Sequence, residues 1–340
     1  MNFSTKTGRQ EKEQGEMDSQ TKQKANVVRI SDGLGNQLFQ YAFGYSLHKR
    51  TGRKLCIDPM YSGKLRHYQL DSFSIDFRQR LVGEKMDSVL GLGARNAALF
   101  RLKYREQKIR RGGYTVVKEE HPMDYDAGVY RDDICYYIGF WQSYQYFDAY
   151  YDDIKRQFQY KEPLSPQAES YLERIQAGRD GVSVSLHIRR TDYNRVQNNV
   201  CLGDVFYKQA LERMQQETGG FALYIFTDDK DFVRRQFHFH DYVLVEGLSD
   251  LEEFVLMQKC RHHIIANSTY SWWGAYLAEQ KGGIVYAPVS DIWTDTFYLP
   301  QWNKIDTQVG KPVWQEKRGD SYEACSDITQ HRTEKSESVL

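Results

Sequence analysis

Two adjacent arginines follow an apolar, β-branched run in the segment SLHIRRTDY, residues 185–193. The polar residues of this segment are His187, Arg189, Arg190 and Asp192. A guanidinium group is always charged, and its planar fork of donors fits the oxygens of a phosphate group. The segment therefore predicts an anion-binding site at the end of a buried strand. The alternative is a structural ion pair between an arginine and an aspartate.

The two arginines are expected to have different functions. Adjacent residues on an extended strand point to opposite faces of the sheet, so Arg189 and Arg190 cannot both face one ligand if the strand continues through them. One of them is then available to grip a ligand, and the other pairs inward, with Asp192 as a candidate partner.

Small polar side chains follow two other apolar runs of the sequence. The run IIA is followed by Asn267, Ser268, Thr269 and Ser271 at the start of a predicted helix, and the run YIF is followed by Thr227 and Asp228. Hydroxyl groups and the unpaired N–H groups of a helix N-terminus form a phosphate cradle, although serine and threonine also cap helices in most proteins. Thr227 and Asp228 suit ribose hydroxyls or the N–H groups of a base edge.

A divalent metal site is a competing interpretation. Asp229-Lys-Asp231 spells D-x-D after an apolar strand, the pattern that holds a metal ion in one class of sugar-nucleotide transferases, and Asp124-Tyr-Asp126 repeats it without a preceding strand. Magnesium and manganese use carboxylates together with substrate phosphates. A helix N-cap explains Asp229 equally well. The histidine pairs 238/240 and 262/263 have no further metal ligands at suitable spacing and are interpreted as structural.

A glycine-containing turn, SDGLGNQ, joins the first predicted strand to the first predicted helix. Its candidate site residues are Asp32, Gly33, Gly35, Asn36 and Gln37. Glycines permit a tight turn and close backbone approach to a ligand. The dinucleotide-binding fingerprint is absent because the third glycine position holds a leucine, which disfavours a nicotinamide-dependent oxidoreductase. The amides of Asn36 and Gln37 either reach a sugar hydroxyl or cap the helix.

The elements that position these residues alternate between strands and helices. NVVRIS, a helix from residue 36 to 52 and KLCID predict a β-α-β unit, and the same alternation recurs from VSVSLHI (182–188) to GIVYA (283–287). Strands with helical crossovers form parallel sheets, which bind ligands at the carboxyl ends of their strands. The prolines of EPLSP (162–166) predict a domain boundary, and hence an α/β protein with two Rossmann-like domains that face a cleft.

Composition limits the class of protein and its compartment. The 340 residues carry 46 Lys+Arg and 46 Asp+Glu, so no global charge recruits nucleic acid or a membrane. Five scattered cysteines and no apolar run long enough for a membrane span indicate a cytoplasmic protein. Residues 1–25 and 315–340 are predicted to be disordered or flexible tails. The basic segment 101–114 is interpreted as a solvated helix or loop, with a patch for an acidic partner or a membrane surface as the less favoured alternative.

The motifs ISDGLGNQLFQYAFGYSL, YIGFWQSYQYF, HIRRTDY, FTDD and IIANSTYSWWGAYLA occur in this order. In combination they resemble glycosyltransferase family 11, the α-1,2-fucosyltransferases, over about residues 26–305. The resemblance implies a GT-B-like fold and a GDP-β-L-fucose donor. It also implies metal-independent, inverting transfer of fucose to the 2-hydroxyl of a terminal β-galactoside. The absence of the N-terminal anchor of animal members favours a bacterial type, cytoplasmic or peripheral on the cytoplasmic face of the inner membrane.

The resemblance also implies roles for individual residues. Arg189 would bind the pyrophosphate, with Arg190 and His187 orienting it; Asn267–Ser271 would hold phosphate or ribose, and Asp228 the nucleoside. Residues 26–162 would form the acceptor-side domain and residues 163–314 the GDP-fucose-binding domain. Asp32 replaces a glycine that many members have, and aspartate tolerates unusual backbone angles. Asp192 and Asp32 are the candidate bases, and the acceptor stays open between polysaccharide ends and lactose-like glycans.

Two further classes of function compete with this interpretation. A metal-dependent transferase of the GT-A type would use Asp229 and Asp231. A non-catalytic glycan-binding module would display tyrosine and tryptophan side chains on loops. Activity in excess EDTA separates the first from a metal-independent transferase, and release of GDP from GDP-fucose separates the second.

Overall fold

A computed structural model of the chain describes residues 25–61, 67–75, 102–191, 201–278, 282–289, 293 and 295–307. The chain divides into two compact units, Met1–Asp71 with Ile75–Gln157 and Ser72–Ser74 with Phe158–Leu340. The predicted tails lie outside the described residues, except for Ala25, which is buried at the start of the first strand. No helix in the described ranges combines the length and the apolar character that crossing a membrane requires.

The first unit is built on a four-stranded sheet. Its strands are β1 (Asn26–Ser31), β2 (Leu55–Tyr61), β3 (Thr115–Lys118) and β4 (Cys135–Ile138), and its helices are α1 (Leu34–Thr51), α2 (Leu102–Arg111) and α3 (Tyr151–Gln157). The strand order is β2-β1-β4-β3, and every pair of neighbouring strands is parallel. The predicted β-α-β unit is therefore confirmed.

Helix α1 ends where the sequence predicts. Gly52 adopts a left-handed conformation with φ of 66°, and its N–H donates to the carbonyl of His48. Glycine adopts this conformation without steric cost, which is why it commonly follows the last helical residue. Lys49 and Arg50 lie in the last turn, where positive charge is favourable next to the unpaired carbonyls. Helix α1 therefore begins at the carboxyl end of β1 and returns the chain to the start of β2.

The basic segment forms helix α2, which covers part of the first sheet. Ile109 on this helix and Tyr114 after it are buried in one cluster with Val27, Cys56 and Tyr136 of the strands. These three strand residues lie side by side in the sheet, since Val27 is opposite both Cys56 and Tyr136. Ile109 of α2 thus belongs to the core of the first unit.

The second unit has a six-stranded parallel sheet in the order β10-β9-β8-β5-β6-β7. Its elements are α4 (Pro166–Ala177), β5 (Ser183–Ile188), α5 (Asp204–Thr218), β6 (Ala222–Thr227), α6 (Lys230–Gln236), β7 (Val243–Leu244), α7 (Asp250–Lys259), β8 (His262–Ile264), α8 (Thr269–Tyr276), β9 (Val285–Val289) and β10 (Asn303–Asp306). The predicted alternation is confirmed, and β10 is a strand that the sequence pattern did not indicate.

The order of the strands places a topological switch point between β5 and β8. From β5 the chain moves through β6 to β7 at one edge, then returns to β8 on the other side of β5 and continues to β9 and β10. Ligands of open α/β sheets bind at the carboxyl ends of the strands where the order reverses in this way. The segments after β5 and β8 are therefore the expected ligand site of the second unit.

Candidate active site

The register of the strands in the second sheet places three of the predicted segments side by side, beyond the carboxyl ends of β5, β6 and β8. Leu186 lies opposite Ile264, so the chain reaches Arg189 and Asn267 equally far beyond this pair. Ile188 lies opposite Thr227, the last residues of β5 and β6, so Arg189 and Asp228 come next on the two strands. The structure thus collects the arginines, the aspartates and the Asn267 segment at one edge of the sheet.

Asp228 holds the segment that carries the arginines. Its Oδ1 atom accepts the N–H of Arg190 at 2.9 Å, and its Oδ2 atom accepts the N–H and the hydroxyl of Thr191 at 3.1 and 2.6 Å. The Nε atom of Arg189 lies 3.3 Å from Oδ2. Both oxygens of Asp228 therefore bond to residues 189–191, a structural role that the sequence did not indicate.

Arg190 lies in a different environment from Arg189. The guanidinium carbon of Arg190 lies 3.6 Å from the centroid of the Phe232 ring, and its Nε atom is 3.8 Å from Asp229. Stacking on an aromatic ring and a nearby carboxylate both stabilise a cation. The predicted partner Asp192 lies outside the described residues.

Buried His187 and half-buried Tyr270 lie beside each other at this site. The side chain of His187 is buried on β5, its ring centroid is 5.6 Å from that of Tyr270, and its carbonyl accepts from the hydroxyl of Tyr207. Burial raises the pKa of Tyr270 well above its usual value, and the positive charge of Arg189 opposes this shift. Tyr270 therefore stays a neutral phenol near the charge of Arg189. The sequence did not indicate Tyr270 as a site residue, because an aromatic residue in a helix usually belongs to the core.

The segment after β8 forms a tight turn into α8. Ser268 is the N-cap residue, with extended backbone angles, and its side chain makes no capping hydrogen bond within the described part of the helix. Ser271 is fully buried, and its Oγ atom accepts the N–H of Ala266 and lies 3.2 Å from the carbonyl oxygen of Ser268. Ser271 thus shapes the turn, and the N–H groups of the first helical turn start at Thr269, at the carboxyl edge of the sheet.

Thr227 and Asp229 both stabilise the turn into α6. The hydroxyl of Thr227 accepts the N–H of Asp229 at 3.0 Å, and the Asp229 carboxylate accepts the N–H of Phe232 at 3.0 Å. Asp229 is therefore a helix N-cap, as the alternative to a metal ligand predicted. Asp231 is exposed and pairs with Arg234 at 2.8 Å.

The other D-x-D match and the histidine pairs also have local structural partners. Asp126 accepts the N–H of Gly128, and Nδ1 of His263 lies 2.8 Å from the hydroxyl of Ser185. His262 accepts the N–H of Ile284 at 2.8 Å. Across the described ranges, no group of three or more His, Cys, Asp or Glu side chains is arranged to hold a metal ion.

Lys230 and Glu253 form a partly buried ion pair at the same edge of the second sheet. The Nζ atom of Lys230 is 2.7 Å from the Glu253 carboxylate and 2.7 Å from the carbonyl oxygen of Thr227. Burial raises the pKa of Glu253, and the hydrogen bond from Lys230 opposes that change. The sequence pattern did not indicate this pair, because only the tertiary structure brings α7 to the end of β6.

The glycine-containing turn of the first unit is ordered by Gln37. This side chain is fully buried; its amide nitrogen donates to the carbonyls of Asp32 and His67, and its oxygen accepts the N–H of Gln69. Gln37 therefore fixes the loop at residues 67–69 against the start of α1. This loop-fastening role differs from the two roles that the sequence left open for Gln37, since no side chain caps α1 within the described residues.

The residues around Gln37 occupy the end of β1. Asp32 is exposed and left-handed, with φ of 64°, so aspartate keeps the turn as expected. Gly33 is the N-cap of α1 with φ of −71°, and Gly35 is buried in its first turn. Asn36 is half-buried, and its Oδ1 atom accepts the amide N–H of Gln142 at 2.8 Å.

Glu119 lies at the carboxyl edge of the first sheet, directly after β3, and the sequence did not indicate it as a site residue. Its two oxygens accept the N–H groups of Phe140 and Trp141 at 2.7 and 2.8 Å. Burial raises the pKa of Glu119, and the backbone N–H groups of Phe140, Trp141 and Gln142 oppose this shift. The motif YIGFWQS indicates the turn, but the carboxylate that binds the turn follows a different strand, β3.

Each of the two units is built on a parallel sheet with helical connections, so the prediction of an α/β protein with two Rossmann-like domains is confirmed. The chain belongs to glycosyltransferase family 11, because the model of Glycosyl transferase family 11 matches residues 26–306. The predictions of this family and of a glycosyltransferase enzyme are therefore confirmed.

Individual relatives are distant in sequence but similar in length. The alpha-1,2-colitosyltransferase of Escherichia coli is 26% identical over 295 residues, which cover 82% of this chain and 95% of that protein. The galactoside alpha-(1,2)-fucosyltransferase 2 of Oryctolagus cuniculus is 25% identical, with 85% of this chain and 78% of that protein covered. The crystal structure of fucosyltransferase NodZ from Bradyrhizobium is 13% identical with a TM-score of 0.44, and covers 75% of this chain and 93% of that one.

Proposed function

We propose that this glycosyltransferase moves L-fucose from GDP-β-L-fucose to the 2-hydroxyl of a terminal β-galactoside, with inversion and without a metal ion. The observation that carries the proposal is the position of Arg189 and the Asn267–Thr269 segment at the switch point between β5 and β8. A cation and the N-terminus of a helix at one edge of a sheet suit a nucleoside diphosphate. The fucosyl group is supported by the fucosyltransferase among the relatives.

The proposed reaction breaks the bond between C1 of fucose and the β-phosphate oxygen and forms a bond from C1 to the acceptor oxygen. Negative charge builds on GDP as the first bond breaks, so a fixed donor at that point lowers the barrier. Arg189 is positioned for this role because Asp228 holds its backbone neighbours. The acceptor hydroxyl loses its proton to a base or to solvent, with Asp192 and Asp32 as the candidate bases.

We assign donor binding to the second unit and acceptor binding to the first. His187, Thr227, Ser268 and Thr269 surround the proposed donor site, and Asp228 and Ser271 support it from within the fold. Asp32, Asn36 and the Gly33–Gly35 turn are the proposed acceptor-side residues. The proposed compartment is the cytoplasm, supported by four cysteines that are buried free thiols: Cys56, Cys135, Cys201 and Cys260.

A donor and acceptor panel tests this function. GDP-fucose and GDP-colitose are each incubated with Galβ1,3GalNAc, lactose and N-acetyllactosamine, and the products are read by mass and linkage analysis. We expect an α-1,2-fucosyl product in excess EDTA. A product formed only from GDP-colitose rejects the fucosyl assignment, loss of activity in EDTA rejects metal independence, and glycan binding without GDP release rejects transfer to these acceptors.

A further inference from the structure

We propose that Glu119 is a positioning residue for acceptor binding, which acts through the 139–142 turn on the side chain of Asn36. The proposal rests on the proposed function, in which Asn36 belongs to the acceptor side. Glu119 follows β3 directly, and the turn follows β4, the neighbouring strand. The Glu119 N–H continues the strand pairing to the carbonyl of Ile138, so its carboxylate is held level with the turn.

The turn adopts a conformation that its own residues do not favour. Trp141 is left-handed with φ of 57°, which is strained for a large side chain. Its indole ring is fully buried and stacks on Phe43 with 4.2 Å between ring centroids. The buried ring fixes one side of the turn, and the Glu119 carboxylate fixes the other by accepting successive backbone N–H groups. We therefore expect the turn to relax when either one is removed.

The backbone at Gly139 closely approaches the side chains of Glu119 and Trp141. A Cβ atom at Gly139 would lie 2.5 Å from Cβ of Glu119 and 2.9 Å from Cε2 of Trp141, so a side chain cannot fit there. The carbonyl of Gly139 accepts the amide of Gln40 on α1. The turn is thus fastened to α1 at one point before the chain reaches Gln142.

Gln142 transmits the position of the turn to the proposed acceptor side. Its side chain is buried, and its amide nitrogen donates to Oδ1 of Asn36 at 2.8 Å. This bond fixes the plane of the Asn36 amide in the first turn of α1, close in sequence to the exposed, left-handed Asp32. An amide held in a fixed plane and an exposed carboxylate four residues before it are suited to the hydroxyl groups of a sugar. The carboxylate at position 119 offers one oxygen to each of two backbone N–H groups, whereas an amide has one oxygen and would turn its NH2 group toward the other N–H.

The experiment compares Glu119→Gln with Glu120→Gln, the adjacent exposed glutamate, in the full chain. We measure the acceptor KM, kcat, the Kd for GDP and hydrogen exchange of the peptide that spans residues 139–142. Glu119→Gln is expected to raise the acceptor KM on the order of 10- to 100-fold, because a small displacement of a binding group has effects of this size. The Kd for GDP is expected to stay within about twofold of the parent value, and exchange of the 139–142 amides to accelerate.

A second variant, Gln142→Met, keeps the volume and removes only the contact to Asn36, so it decides the question if Glu119→Gln does not fold. It is expected to raise the acceptor KM without faster exchange of the Phe140 and Trp141 amides. An unchanged acceptor KM in the folded variants, or equal loss of GDP binding and acceptor binding, overturns the proposal. A parent enzyme that binds GDP but transfers fucose to none of the acceptors contradicts the proposed function instead, before any variant is compared.

Discussion

The Nε atom of Arg189 lies 3.3 Å from a carboxylate oxygen of Asp228, and the same carboxylate accepts two backbone N–H groups from the residues that follow Arg189. The side chains of both residues are largely buried, with exposed fractions of 19% and 16%. The aspartate therefore fixes the backbone that carries the arginine as well as neutralising part of its charge. A guanidinium group held in this way needs little rearrangement when a phosphate group arrives.

Replacement of Arg189 by lysine is expected to abolish most of the transfer although the charge is kept. Lysine is a point charge without the planar fork, and loss of one charge-stabilising donor lowers turnover about 10²–10³-fold. Measured kcat with GDP-fucose checks this, with Arg213→Lys on the exposed surface of α5 as the control. Near-parental turnover of a folded Arg189→Lys protein would remove Arg189 from its proposed role.

Replacement of Asp228 by asparagine is expected to lower kcat by about tenfold or more and to weaken GDP binding. Hydrogen bonds to a charged group contribute about 1.5–3 kcal/mol, and an amide cannot accept all the N–H groups that bond to both oxygens. Steady-state kinetics and calorimetry with GDP check the result. Asp231→Asn is the matched control, because Asp231 is exposed and pairs only with Arg234 among its described contacts.

The same pair of variants tests the D-x-D interpretation. If Asp231→Asn abolishes transfer, or if manganese restores activity lost in EDTA, the carboxylates of residues 229 and 231 hold a metal ion. Equal kinetics of parent and Asp231→Asn, in the presence and absence of EDTA, are the expected outcome, because Asp229 already caps α6.

Alanine variants of two serines after β8 are expected to differ: one should lower stability and the other should weaken GDP binding. Ser271→Ala removes a buried hydroxyl that bonds to the backbone of Ala266, so it should lower the free energy of unfolding by about 1–3 kcal/mol. Ser268→Ala should weaken GDP binding and leave stability nearly unchanged, because the Ser268 side chain makes no capping bond in the described helix. Urea unfolding and GDP titration of both variants check this; the reverse pattern would contradict the assignment.

Stability is expected to fall as the pH is lowered from about 6.5 toward 5. Burial lowers the pKa of His263 to about 3, with the charge of His262 adding to the shift. The unfolded chain therefore binds a proton in this window that the folded chain excludes, which lowers the free energy of unfolding by about 1.4 kcal/mol per pH unit. Carboxylates with lowered pKa, such as Glu252 with a pKa of about 2, lose their contribution only at lower pH.

Urea unfolding between pH 5 and 7 measures this effect. His263→Gln, which keeps a polar partner for Ser185, should show a weaker pH dependence than the parent, and the exposed His238→Gln variant should match the parent. Parallel curves for parent and His263→Gln would show that the titration belongs to other groups.

Local patterns in the sequence determined most of the secondary structure. The β-branched run before residue 189 can bury a strand, the apolar spacing of α1 can bury a helix face, and Gly52 ends that helix by its left-handed conformation. The alternation of side chains along a strand also indicated that the two arginines differ, and the backbone tolerance of aspartate indicated that Asp32 would keep the turn. These features depend on residues that are close together along the chain, so they can be predicted from the sequence alone.

Strand order and register were decided only by the tertiary structure. The insertion of β8 beside β5 places the Asn267 segment level with Arg189. The register of β5 with β6 brings Asp228 to Arg189 and Asp229 to Arg190. The carboxylate of Glu119 reaches the 139–142 turn by the same principle. Pairing of distant strands depends on how whole sheets pack, which local residue patterns do not specify, and so these partners became visible only in the folded chain.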